Sequence, residues 1–331
     1  MRVNIIILAA AVATFVSCKK ETIERPEEKS AAIGFVTCFM QENNLEQGAL
    51  ARGYEINNAA DVATRGGFDV WAYSYTGTWS SLPTTTGLFV ETNVTSSDGG
   101  LTWDYGTPQK WPPGKSVSFF AYAPHGAATP NGFDAQGVPK ISYEVPANVG
   151  SHIDLLIADQ RTDLSGPDPV DEQFSHALSR IRFSAAKAGY SANNVIITSI
   201  EVSTIQYSGS ASLKLPVVWT PTPATPATRD YTLSTGNGLL RNDISLTTTM
   251  QDVLTTGQTM FMMPQTMDAA ARITVSFSVD GLNLSWTAPL PAPVTWLPGK
   301  SYNYQLVVDG EMVIVMCAQL ESPTDGTWGE Y

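Results

Sequence analysis

The sequence predicts an all-β fold of two β-sandwich domains in tandem, with few and short helices. Three observations carry this expectation. Short segments of alternating apolar and polar residues recur between clusters of Gly, Pro, Asn and Asp, the spacing of a sandwich. No segment keeps a 3.6-residue apolar period for three turns. The chain has 331 residues, which at about 150 per domain fits two domains better than one.

Composition narrows the function classes. Charged residues make up 15% of the chain, below the ~25% usual for globular proteins, while Gly (26) and Pro (21) supply turns. A net charge of −12 disfavours nucleic acid, whose phosphates require a basic face, and equally disfavours electrostatic attachment to anionic lipid. Three histidines leave little material for a metal site, and no cofactor is expected. With 43% hydrophobic residues the chain can bury a core and is not a disordered polymer.

Taken in order, residues 1–18 (MRVNIIILAAAVATFVSC) have one Arg, an uncharged apolar run from Val3 to Val16, then Ser17 and Cys18. This is the layout of an export signal and is too short to span a bilayer. A Cys after a small residue resembles a bacterial lipoprotein signal, in which Cys18 is acylated and becomes the mature N-terminus; Phe15 stands where Leu is commoner. Residues 19–30 (KKETIERPEEKS) read as a charged tether. An isolated apolar strand follows, with Ile33, Phe35 and Phe39 on one face and Val36, Cys38 and Met40 on the other. The polar stretch after it carries Arg52 and Arg65.

From Phe68 onward, strands are expected in FDVWAYS, VSFFAYAP, ISYEV, HIDLLIADQ, LSRIRFSA, VIITSIEVSTI, ITVSFSVD, LNLSWTA, SYNYQLVV and MVIVMCAQL. Asp280-Gly281 and Asp309-Gly310 read as hairpin turns. KWPPGKSVSFFAY (110–122) echoes TWLPGKSYNYQLV (295–307), one in each half. The segment RTDLSGPDPVDEQ (161–173) is the best linker, because Pro167 and Pro169 with acidic neighbours discourage helix and central strand alike; AGYSANN (188–194) is the alternative. The resulting division is signal 1–18, tether and N-terminal strand 19–52, first sandwich 53–168 and second sandwich 169–331.

Chemistry is sought and mostly not found. Gly-Lys-Ser at 114–116 and 299–301 lacks the earlier Gly of a phosphate loop, having Gln109 and Val294 there, so a strand-entry turn is expected. His125, His152 and His176 have no metal-ligand spacing and no nucleophile motif, and no catalytic residue is identified. Trp71, Trp103, Trp111, Trp219, Trp286 and Trp296 lie in or beside strands, where core packing outweighs sugar stacking. Cys38 and Cys317 read as separate small hydrophobes.

Cys18, Arg52-Gly53, FDVWAYS, TWDYGTPQKWPPGKSVSFFAYAP, DLLIAD, FSHALSRIRF with VIITSIEV, and WLPGKSYNYQLVV together resemble the fimbrillin family of Bacteroidales, in family order across nearly the whole chain. The resemblance implies two transthyretin-like sandwiches and a subunit or accessory adhesin of a type V fimbria, without enzymatic activity. It further implies lipid anchoring at the outer membrane through Cys18, cleavage after Arg52 (or Arg65) by an Arg-specific protease, and partnership with other fimbrial subunits by β-strand addition, with a host or bacterial surface ligand beyond them. It does not distinguish stalk, tip and anchor subunits. In that scheme Ile33, Phe35 and Phe39 belong to the removable strand. Met312, Ile314 and Met316 belong to a candidate donor strand. Aligning Cys38 with Cys317 sets Ile33, Phe35 and Phe39 against Met312, Ile314 and Ala318. The alternative is a monomeric surface lipoprotein that binds glycan through aromatic side chains.

Overall fold

The structure is a computed structural model and describes residues 31–38, 55–80, 87–189, 194–222, 227–291 and 295–320. Strands Phe68–Tyr75 and Ser116–Ala123 pair antiparallel at the centre of a seven-stranded sheet. Along both, nearly every residue is buried. Alternation alone would leave one face of such a sheet wet; here both are covered. On one face Phe68, Val70, Ala72, Val117, Phe119 and Ala121 share a core with Phe35, Phe89 and Phe174. On the other, Trp71, Tyr73, Phe120 and Tyr122 join Ile141 and Tyr143 in a second core.

The path through this sheet runs Phe35–Cys38, Val170–His176, Leu156–Ala158, Ser116–Ala123, Phe68–Tyr75, Phe89–Val94, with Arg161–Leu164 also pairing on Ser116–Ala123. It curls back on itself through residues 104–111. Thr95 and Asp104 exchange both backbone bonds at 2.8 Å, and the N–H of Ile33 donates to the carbonyl of Gln109 at 2.8 Å.

The second core continues into a sandwich. One of its sheets orders Thr228–Ser234, Val195–Gln206, Arg272–Val279 and Leu282–Pro289; the other runs Gln251–Asp252, Ser179–Lys187, Ser301–Asp309 and Met312–Leu320, with Met260–Met262 beside Ser179–Lys187. Ile273, Val275 and Phe277 alternate inward, as their sequence requires, into the core that holds Phe183 and Leu306. A further sheet, Thr220–Pro221, Ser208–Ser212, Pro139–Glu144 and Thr129–Phe133, draws strands from both halves of the chain.

Turn chemistry follows the sequence. The two Pro-Gly repeats form matching turns: Gly114 and Gly299 have φ +67° and +66°, and the N–H groups of Lys115 and Lys300 donate to the carbonyls of Pro112 and Leu297. A positive φ after Pro is the signature of a type II turn, which only Gly adopts without strain. Asp280 and Gly281, both at positive φ, join Arg272–Val279 to Leu282–Pro289. Helix is confined among the described residues to Ala59–Thr64, capped by the Asn58 side chain, and one 3-10 turn, Val149–Ser151. No helix among them is long and apolar enough to cross a membrane.

The linker expectation for 161–173 is corrected. That stretch carries strand Arg161–Leu164 and the start of strand Val170–His176. Pro167 and Pro169 precede the second strand, where no ladder N–H is required. Val170 and Phe174 enter the first core, so the strand immediately after residue 168 belongs to the first sheet. Its acidic residues hid a period-2 pattern, because Glu172 occupies an inward position where an apolar residue is the rule.

A polar joint ties the cores together. The fully buried Arg180 places Nη1 2.5 Å from Glu55 Oε1 and donates from Nε to Ser301 Oγ at 2.9 Å. Thr259 Oγ1 also donates to Glu55, at 3.3 Å. Next along the chain, the N–H of Ile56 donates to Asp154 Oδ2 at 2.8 Å, and Asp154 meets His176 Nδ1 at 3.0 Å. Removing one member of a buried ion pair costs more than the pair contributes, since the other charge is left desolvated. Glu55→Gln should therefore lower unfolding stability by about 3 kcal/mol, read from denaturant midpoints against the same change at exposed Glu144, which should cost less than about 1 kcal/mol.

Candidate functional site

The N-terminal strand Phe35–Cys38 ends the first sheet, and the residues just before it reach across to a second partner. It pairs in parallel with Val170–His176, Phe35 opposite Val170 and Thr37 opposite Glu172. The N–H of Val170 donates to the carbonyl of Gly34 at 2.8 Å. On its other flank the N–H of Trp111 donates to the carbonyl of Ala31 at 3.1 Å, and Tyr105 Oη donates to the carbonyl of Ile33 at 2.5 Å. The segment 31–38 thus bridges residues 104–111, through Ala31 and Ile33, and Val170–His176, through Phe35–Cys38.

Its side chains fill a groove. Ile33 and Phe35 are buried, as the sequence expects of that face; Phe39 lies outside the described residues. The Phe35 ring meets Phe68, Phe89 and Tyr105 edge-on with centroids 5.7 Å away, and Phe119 at 5.9 Å. Burial of two such side chains contributes roughly 1.5–3 kcal/mol each, and edge-to-face pairs add about 0.5–1.5 kcal/mol apiece. The groove is thereby a site that binds one short strand through a deep aromatic anchor.

One wall is anomalous. Glu172 is fully buried between Val170 and Phe174, and neither carboxylate oxygen has a hydrogen-bond partner among the described residues. Thr37 Oγ1, on the facing residue of the inserted strand, is buried without a partner as well. Burial pushes the Glu172 carboxyl up to about 8; Arg161 opposes the shift, while Asp171 and Asp159 add to it. Sequence reasoning missed this residue by assigning its neighbourhood to a linker. The signal was present in V-D-E-Q-F-S-H, whose alternation puts Val170, Glu172, Phe174 and His176 on one face.

The candidate donor strand lies elsewhere. Met312–Leu320 is the outer strand of its sheet, antiparallel to Ser301–Asp309, and does not pair with the N-terminal strand. The sequence reads this strand as apolar on both faces, and the fold uses them differently. Val313 is buried and Val315 and Cys317 pack on the core, whereas Met312, Ile314 and Met316 are 50%, 52% and 46% exposed. Cys38 and Cys317 are unbridged, and burial pushes the Cys317 thiol up to about 11.

The remaining candidates are structural in placement. Arg65 follows the helix Ala59–Thr64, its N–H bonded to the carbonyl of Val62. Cys18 and Arg52 lie outside the described residues. His152 is buried and accepts from the N–H of Phe261 through Nδ1, and burial lowers its pKa to about 3. His125 meets Asp69 at 2.7 Å. No group of three or more metal-ligating side chains forms among the described residues. Trp71, Trp111 and Trp296 are buried, and Trp79, Trp103, Trp219 and Trp286 are half-buried.

The acid in the groove has a measurable consequence. With its folded pKa raised above the ordinary 4.5 to about 8, Glu172 holds a proton more tightly in the folded chain than in the unfolded one. Its contribution is therefore fully present below about pH 4.5 and lost as pH rises through about 8. Glu172→Gln should leave stability near pH 4.5 little changed and raise it above pH 8 by on the order of 2–4 kcal/mol, measured by thermal unfolding across that range.

Comparison with known proteins bears on this architecture. A family model described as fimbrillin-like matches residues 57–322. A fimbrial protein from Bacteroides vulgatus superposes with a TM-score of 0.63 at 16% identity, covering 87% of this chain and 99% of that one. A putative cell adhesion protein from Bacteroides uniformis gives 0.50 at 14% identity, covering 92% and 100%. Another from Bacteroides ovatus gives 0.50 at 13%, covering 88% and 96%. No curated protein matches the sequence. At such identities the structures speak for the fold alone; the family model, matched over most of the chain, gives the membership. The chain belongs to the fimbrillin-like family.

Proposed function

We propose that this chain is a structural subunit or accessory adhesin of a type V fimbria, joined to neighbouring subunits by exchange of its N-terminal strand and delivered to the outer membrane as a lipoprotein. The role is one of assembly and adhesion, not catalysis. The observation that carries the reading is the docking of residues 31–38, bonded through Ala31 and Ile33 to residues 105–111 and through Phe35–Cys38 to Val170–His176, and anchored by Phe35 among aromatic rings. A strand held in this way blocks its own groove. Its departure would expose Phe68, Phe89 and Phe119 together with the unpaired edge of Val170–His176, a template for β-strand addition. The opposite face of the same sheet is held by a separate core, so the groove can be emptied without dismantling the fold.

Cleavage after Arg52 suits this scheme better than cleavage after Arg65. A cut at Arg65 would detach Glu55 from Arg180 and remove the buried Ile56 and Val62. A cut at Arg52 spares all three. The partner strand in this reading comes from a segment like Met312–Leu320, whose Met312, Ile314 and Met316 already face outward. Cys18, following the apolar run of residues 3–16, supplies the lipid anchor.

Two experiments test the scheme. In cells, Arg52→Ala should accumulate as a non-polymerising, lipid-anchored chain that retains its N-terminal strand, while Arg65→Ala assembles normally; polymers of Arg52→Ala whose subunits still begin at Cys18 would overturn the exchange route. Separately, labelling with a fatty-acid analogue should be lost in Cys18→Ser, and unchanged labelling of that variant would sink the anchor.

A further inference from the structure

Residues 31–38 are held by apolar contacts that do not change with pH, and they lie over an acid that does. Phe35, among Phe68, Phe89, Tyr105 and Phe119, anchors the segment by burial. Two residues on, Thr37 lies opposite Glu172 of the neighbouring strand. Glu172 is fully buried, and with the segment docked neither of its oxygens has a hydrogen-bond partner among the described residues. Thr37 Oγ1 has none either, so the segment keeps water from the acid and puts no hydrogen bond in its place. A carboxyl buried in this way tolerates its neutral form far better than its charge.

We propose that Glu172 makes the docking of the N-terminal segment depend on pH: the segment stays in its groove while the acid keeps its proton, and loss of that proton to solvent favours departure of residues 31–38, because departure lets water reach the carboxylate. For its role in assembly the proposal rests on the strand-exchange reading, to which it adds a regulator of groove opening. The groups around Glu172 are few. Residues 31–38 carry no carboxyl, amine or imidazole. Beyond the strand on its other flank, Asp159 disfavours the charge and Arg161 favours it. On its own strand Asp171 disfavours it, with Oδ2 3.8 Å from Arg161 Nη2. His176, on the same face, is held by Asp154 at 3.0 Å. Across the core, Tyr105 donates to the carbonyl of Ile33, and burial raises its pKa.

The direction follows from where the proton binds more tightly. Docked, Glu172 is pushed up to about 8, chiefly by burial; once solvated it returns toward the ordinary 4.5. Docking is therefore fully supported below about pH 4.5 and is weakened progressively up to about pH 8, where the effect levels off.

Native-state amide hydrogen exchange of the full chain tests this, with rates corrected for the intrinsic pH dependence of exchange. From pH 5.5 to 8 the opening constant of residues 31–38 should rise at least about thirtyfold, and that of the central strand Phe68–Tyr75 should not follow. In Glu172→Gln, which leaves His176 and Tyr105 in place, the profile of residues 31–38 should be flat within about threefold. Asp171→Asn should keep the rise but bring it to its plateau at lower pH. A flat wild-type profile, the same rise in Glu172→Gln, or an equal rise in Phe68–Tyr75 overturns the proposal. The link to assembly is read separately, on chain nicked after Arg52 by an Arg-specific protease. Loss of the N-terminal fragment on gel filtration should be greater at pH 8 than at pH 5.5, and equal loss at both overturns the proposal. A segment that opens with pH as expected but never leaves the nicked chain supports the role of Glu172 and sinks the exchange reading instead.

Discussion

Two-sided burial of the sheet formed by Phe68–Tyr75 and Ser116–Ala123 is the constraint on which the rest depends. A sheet covered on one face needs one partner layer; this one needs two, and they are supplied by different parts of the chain. Ile141 and Tyr143, with the second sandwich behind them, cover the Trp71 and Phe120 face. The N-terminal strand, Phe89 and Trp111 cover the opposite face, where Phe68 and Phe119 lie. The two cores share a sheet and no side chains, so each face of the central strands is held by its own set of residues. That separation gives the N-terminal strand its special position: it is well packed, yet the sheet does not depend on it alone.

The charged groups follow the same division. Arg180 and Glu55 meet where the chain enters the first sheet from residue 55, and Asp154 with His176 holds the next turn of backbone. These buried pairs tie residues 55 and 56 to the strands behind them. Glu172 is the opposite case, a buried acid without a partner on the wall of the groove. In a core of permanent occupants such a residue would be a defect, since an apolar side chain of similar volume is more stable there.

The two terminal strands differ in a physically telling way. Phe35–Cys38 pairs with Val170–His176, is preceded by Ala31 and Ile33 bonded to residues 109–111, and has its largest side chain in the interior. Met312–Leu320 pairs on one flank with Ser301–Asp309 and turns Met312, Ile314 and Met316 outward. An outer strand with an apolar outward face is normally blunted by charge or Pro. This one carries neither between Met312 and Leu320, which is consistent with a face that meets another protein surface.

The sequence by itself determined the all-β class, the Pro-Gly and Asp-Gly turns and the inward face of strands such as Ile273–Val279, because these depend on local backbone preference and a two-residue period. It also marked Ile33 and Phe35 as core residues of an isolated strand. Only the tertiary structure decided which side chains they would meet, that Val170–His176 belongs to the first sheet, and that Glu172 lies inside. A period-2 pattern says which residues share a face but not whether that face is covered, and an acidic residue on such a face reads as solvent-exposed until its neighbours are known. The groove is built from segments more than 130 residues apart in sequence, from Phe35 to Phe174, so its shape is a property of the assembled sheet and not of any one strand.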